Sequence, residues 1–77
     1  MNSKKVLDLK NLKCPMPIIE ISKFMKKMSS GEILEIYATD IFFEPDLIAW
    51  CKRTGNDLSS LEKMEGYIIA NDTKRAA

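Results

Sequence analysis

The sequence predicts an α+β fold: a two-layer α/β sandwich of order βαβαββ, with a four-stranded mixed sheet and two helices on one of its faces. Three observations predict it. Two segments, around 18–28 and 47–51, repeat apolar residues at steps of three and four, as a half-buried helix requires. Each is preceded by a short run rich in β-favouring residues and followed by a glycine, Gly31 or Gly55, able to end a helix. Two more β-favouring runs close the chain, separated by Glu65-Gly66, which reads as a hairpin.

The elements follow in order. Residues 5–9, KVLDL, predict a short strand with Leu7 and Leu9 on one face. Residues 10–14, KNLKC, predict a turn in which Asn11 can take a left-handed backbone conformation. A helix is expected from about Pro15 to Met28, with Ile18, Ile21, Met25 and Met28 as its apolar stripe. Lys23, Lys26 and Lys27 lie on its polar side and in its last turn, where the helix dipole favours positive charge.

The run EILEIYA predicts a well-buried strand at about 33–38. A second helix is expected over about 43–54, with Pro45 in its first turn and Leu47, Ile48, Cys51 and Trp50 towards the core. Strands at 57–63 and 66–71 complete the order. The first two strands should run parallel through a right-handed helical crossover and the last two should pair as a hairpin. Residues 1–77 are expected to form one domain, with the tail from about residue 72 frayed.

Composition bounds the chemistry. The chain is 45% apolar and 30% charged, too apolar for a disordered segment. Seventy-seven residues leave little room for an enclosed cavity, so a reaction site belongs near the surface. There is no histidine, which removes Cys-His nucleophile pairs and imidazole metal ligands. The two cysteines, Cys14 and Cys51, form no Cys-x-x-Cys pair, so no metal site is expected. Nothing resembles a phosphate-binding loop, and no cofactor is expected.

The N-terminus lacks an apolar signal-like stretch and no segment approaches membrane-spanning length. Reduced thiols in a cytoplasmic protein are therefore expected. Residues 1–31 carry seven lysines against Asp8 and Glu20, a charge of +5, whereas residues 32–77 carry −4. The first half could face an acidic partner, or the lysines could simply be a solvated helix face. Without an aromatic-basic RNA signature, direct nucleic-acid binding is not expected.

The chemistry points to Cys14. It falls where the turn meets the first helix, as a candidate N-cap, and Pro15 suits the first helical position. Pro15 also pushes Cys14 towards an extended conformation, so the thiol projects off the helix end. There the helix dipole and the neighbouring Lys13 favour the thiolate. Activation should be moderate, because Pro15 and Pro17 lack N–H groups and leave only Met16 and Ile18 as donors. The alternative is a rigid helix start with an inert cysteine. Cys51, in mid-helix on the apolar stripe, is expected to be structural.

Around this motif the chain resembles the TusA/SirA-like sulfur carriers, also called the UPF0033 domain. The resemblance rests on LDLKNLKCPMP, Leu7 to Pro17, where the family has a strand, a glycine-containing turn and Cys-Pro-x-Pro. Gly31, Thr39-Asp40, Asp46, Ala49-Trp50-Cys51 and Gly55 follow at the family's spacing, and Asn11 stands at the usual glycine. The resemblance implies a sandwich similar to the C-terminal domain of translation initiation factor 3. It implies a sulfurtransferase that accepts sulfane sulfur on Cys14 as a persulfide and passes it on. Sulfur-donor and sulfur-acceptor proteins are the implied partners, in tRNA thiolation, molybdenum-cofactor maturation or sulfur oxidation.

One departure bears on partners. After Asp40 the family usually has proline and small residues, whereas this chain has Ile41-Phe42-Phe43. If exposed, Phe42 and Phe43 beside Asp40 form an apolar contact site near the thiol; alternatively one of them packs as core. The competing functions are a non-catalytic interaction or redox-regulatory module and, ranked last, an RNA-binding domain.

Overall fold

The computed structural model describes residues 4–75. Its elements are β1 (Lys4–Leu9), α1 (Met16–Met25), β2 (Ile33–Ala38), α2 (Phe43–Thr54), β3 (Asp57–Lys63) and β4 (Ile68–Thr73). The sheet order is β1-β2-β4-β3. β1 and β2 are parallel, with Leu9 opposite Ala38, and β4 pairs antiparallel with both β2 and β3. The expected βαβαββ order and mixed sheet are therefore present.

Alternation along β2 explains the layering. Leu34, Ile36 and Ala38 are fully buried, while Ile33, Glu35 and Tyr37 are only partly covered. The buried set packs with Leu9 and Ala70 against Ile21, Met25 and Met28 from the first helical region and Phe43, Leu47, Trp50 and Cys51 from α2. The partly covered set carries polar decoration. Lys4 pairs with Glu35 at 2.6 Å, Tyr37 donates a hydrogen bond to Glu35 at 2.6 Å, and Lys10 lies over the rings of Tyr37 and Tyr67.

The first helix is shorter than its apolar stripe. It starts at Met16 because Pro15 has the non-helical N-cap geometry, φ −96° and ψ 9°. It ends at Met25 because the next N–H groups tighten to three-residue bonds, Lys27 to Phe24 at 3.0 Å and Met28 to Met25 at 3.1 Å. Met28 stays buried within these turns. The second helix has the expected bounds and stops at Gly55, whose φ of 81° lets its N–H reach the Cys51 carbonyl at 2.8 Å.

The frayed tail is corrected as far as Arg75. The hairpin turn occupies 64–67, closed by Met64 N–H to the Tyr67 carbonyl at 2.8 Å, so β4 starts two residues later than expected and runs to Thr73. Lys74 exchanges backbone bonds with Gly31 and Glu32, both at 3.0 Å. Arg75 donates to Asn56 Oδ1 at 2.8 Å and to the Thr54 carbonyl at 3.1 Å. These bonds fasten the segment to the residues that lead into the central strand β2 and to the end of α2. Residues 76 and 77 lie outside the described residues. Among the described residues no helix is long and apolar enough to cross a membrane.

Candidate functional site

The connection from β1 to α1 carries Cys14. Lys10 N–H bonds back to Asp8 Oδ1 at 3.0 Å, and Leu12 N–H to the Leu9 carbonyl at 3.2 Å. Asn11 sits between them at φ 74°, the left-handed conformation expected of it, and its N–H reaches Thr39 Oγ1 at 2.8 Å. Thr39 thus ties the loop to the end of β2. A β-branched residue at φ 74° is strained. Asn11→Val is therefore expected to cost about 1–2 kcal/mol, measured by urea unfolding, and Asn11→Gly to cost far less.

Cys14 occupies a turn closed by Met16 N–H to the Lys13 carbonyl at 2.8 Å, and the Cys14–Pro15 peptide is cis. Pro15, not Cys14, is the N-cap, and no side chain caps the helix. This corrects the expected N-cap placement. The Cys14 side chain is nevertheless free and exposed, whereas Cys51 is buried. Among the supporting residues, Lys13, Pro15 and Met16 are exposed, Ile18 is half-buried, and Pro17 is fully buried under the turn.

Activation of the thiol is also corrected. The Met16 N–H is spent on Lys13, so the donors expected at the helix start are fewer still. Carboxylates approach instead, Asp40 from the β2–α2 connection and Asp46 from the first turn of α2. The hydrogen bond from the thiol to Asp46 raises the Cys14 pKa above its ordinary value, helped by desolvation and by the negative charges of Asp46 and Asp40. The sulfur, one carboxylate oxygen of Asp40 and one of Asp46 lie within 4.8 Å of one another. Lys23, Lys26 and Lys27 lie at or beyond the far end of α1 and do not place their charge on the sulfur, whereas Lys13 lines the same recess as Cys14.

Two recesses meet at Cys14. The larger, about 610 Å³, is bounded by Asn11 to Cys14 on one side and Thr39 to Phe42 on the other. The smaller, about 260 Å³, runs from Cys14 and Pro15 to Asp46, Ala49, Trp50 and Arg53 of α2. Ile41 is 80% exposed and Phe42 57% exposed at the rim, whereas Phe43 is 1% exposed and belongs to the core. Phe43 is thereby corrected from partner contact to core residue. The alternation has a simple cause: Phe43 is the first residue of α2 and points under the sheet, while Ile41 and Phe42 lie in the turn before it.

Sequence reasoning placed Asp46 only within a family spacing and gave it no task; Arg53 and Ala49 it did not place at the thiol at all. No local signal could have joined Asp46 to Cys14, since 32 residues and a strand crossover separate them.

Comparison with known proteins agrees with this geometry. Residues 5–70 match the family described as sulfurtransferase TusA. YrkI of Bacillus subtilis, named as a candidate sulfur carrier protein, is 53% identical over 58 residues, covering 75% of this chain and 77% of that protein. The sulfur carrier protein TusA of Allochromatium vinosum is 43% identical over 60 residues, 78% of each. A candidate sulfur carrier protein of Aquifex aeolicus is 42% identical over 66 residues; the match covers 86% of this chain but only 34% of that longer relative. The crystal structure of a SirA-like protein from Desulfitobacterium hafniense has the same fold, with a TM-score of 0.77 at 19% identity, covering 92% of this chain and 97% of that one. The chain therefore belongs to the TusA sulfurtransferase family, whose named relatives here are sulfur carriers.

Proposed function

We propose that the protein carries sulfane sulfur as a persulfide on Cys14 and passes it to the thiol of an acceptor protein. One observation carries the assignment to this residue. Cys14 is a free, exposed thiol on an anchored turn with open recesses on both sides, and Cys51 is sealed in the core. A carrier needs this arrangement, because its sulfur must be reached in turn by a donor and by an acceptor.

The exposed Ile41-Phe42 rim beside the thiol is the contact surface for these partners, with Asp40 at its inner edge. Apolar side chains at a rim favour docking of another protein over capture of a small polar substrate. The protein works in the reducing cytoplasm, where an exposed thiol stays available for exchange. Its relay ends in tRNA thiolation, molybdenum-cofactor maturation or sulfur oxidation, the routes served by the family.

Incubation with a persulfide donor is expected to add one sulfur atom to the intact protein, and a thiol reductant should remove it. In Cys14→Ser the uptake should fall to background while the far-ultraviolet circular dichroism stays unchanged. Equal uptake by Cys14→Ser would overturn the assignment. A non-catalytic interaction module predicts a different pattern, in which Cys14→Ser has no effect and only Ile41 and Phe42 substitutions weaken partner capture.

A further inference from the structure

Cys14 must lose a proton to attack a persulfide and regain one when it leaves, yet the usual group for that task is missing, because the chain has no histidine. The helix start contributes few free donors, and Lys13 is exposed beside the turn and can only donate. Among the described residues a carboxylate oxygen of Asp46 and one of Asp40 lie within 4.8 Å of the Cys14 sulfur, and Asp46 acts on its proton more strongly. Asp46 projects from the first turn of α2 into the smaller recess, which Cys14 also lines.

We propose that the Asp46 carboxylate is the proton acceptor and donor for Cys14, taking the thiol proton during loading and returning it during unloading. The proposal rests on Cys14 being the sulfur-bearing atom. In loading, Cys14 Sγ attacks the terminal sulfur of the donor's persulfide. A new Sγ–S bond forms, the donor's S–S bond breaks, and the donor leaves as a thiolate. The terminal sulfur keeps its own hydrogen, and the Cys14 proton passes to Asp46. In unloading, an acceptor thiolate attacks that terminal sulfur, the Sγ–S bond breaks, and Cys14 departs with the proton from Asp46. No electron is gained or lost overall; sulfane sulfur only changes its carrier.

The geometry gives Asp46 a second effect of opposite sign. A carboxylate beside a resting thiol disfavours the thiolate, so Cys14 should be dull towards ordinary electrophiles. Removing the carboxylate therefore ought to make the thiol easier to alkylate and yet slower to exchange sulfur. A residue that merely holds the turn in place does not produce that opposition. The charged groups around the sulfur are Asp46 and Arg53 from α2, Asp40 from the β2–α2 connection and Lys13 from the turn itself.

The test compares wild type with Asp46→Asn and Asp46→Ser. Two rates are measured across pH: alkylation of Cys14 by iodoacetamide, and single-turnover sulfur uptake from glutathione persulfide. Cys51 serves as an internal report of folding, since a folded protein keeps it buried and unmodified. The expected result is an alkylation profile displaced to lower pH in both variants, with sulfur uptake slowed by about ten- to a hundredfold. Uptake at the wild-type rate overturns the proposal. So does a parallel fall in both rates, or labelling of Cys51, in both variants, because either marks a structural role. A wild-type protein that takes up no sulfur overturns the assignment of Cys14 as carrier as well, which separates the two failures.

Discussion

From about pH 3 to about pH 8 the wild-type protein is expected to lose about 3 kcal/mol of stability relative to an Asp72→Asn variant. Asp72 sits on β4 on the helix-covered face of the sheet and is fully buried. Its Oδ2 accepts a hydrogen bond from Cys51 Sγ at 3.4 Å, and its Oδ1 has no partner among the described residues. Burial raises its pKa from 3.8 to about 6; the Cys51 bond pulls it back in part and the charge of Asp57 adds to the rise. The folded state thus holds this proton more tightly than the unfolded chain. Its stabilising contribution is complete below the unfolded value of 3.8 and is lost as pH rises through about 6.

Asparagine keeps the shape and cannot ionise, so the comparison isolates the charge. Urea unfolding at several pH values provides the measurement. Parallel stability curves for the two proteins would show that the carboxylate is not carrying a buried charge. The same neighbourhood explains the silence of Cys51, whose thiol is pushed up to about 12 by burial first and by the Asp72 charge and hydrogen bond next. A thiol so placed is a core side chain with a weak donor, not a nucleophile.

The second large effect separates two adjacent aromatics. Phe43→Ala is expected to cost about 3–5 kcal/mol, the penalty of emptying a phenylalanine site in a closed core. Phe42→Ala should stay within about 0.5 kcal/mol of wild type, because its ring is exposed. A chain of this size has a modest reserve, so Phe43→Ala is expected to be partly unfolded at ordinary temperatures. The reverse should hold for sulfur transfer to a partner protein, where Phe42→Ser weakens productive contact without unfolding the carrier. Thermal denaturation of the two alanine variants is sufficient to decide between the placements.

The sequence made the fold readable wherever one local rule acted alone. The bounds of α2 followed from Pro45 near its start and Gly55 after its end, and both rules hold in the structure. Asn11 likewise revealed its left-handed backbone through its residue type and position in a turn. α1 ran short because the apolar stripe continues through the tight turns to Met28, which pack like a helix without being one. The tail misled because its residues are polar, while their bonds go to distant partners, Gly31, Glu32, Asn56 and Thr54.

The site was readable in its sulfur and opaque in its electrostatics. Cys14 announced itself through the prolines around it. Lys13 suggested a positive setting for the thiol, but the other lysines of the first helix, Lys23, Lys26 and Lys27, lie at or beyond its far end. The second connection brings Asp40, and the first turn of α2 brings Asp46, to the sulfur, where both raise its pKa beside a helix start poor in N–H groups. Only the three-dimensional crossing of the two β-α connections decides the sign. A helix-terminal cysteine is activated by its helix only when nothing more strongly charged is folded against it.

The most direct measurement is to load the protein from a persulfide donor, digest it under non-reducing conditions, and weigh the peptides bearing Cys14 and Cys51 separately. The Cys14 peptide should be heavier by one sulfur atom and the Cys51 peptide unchanged. Added sulfur on the Cys51 peptide, or on neither, would contradict the placement of the exchangeable atom at the surface turn.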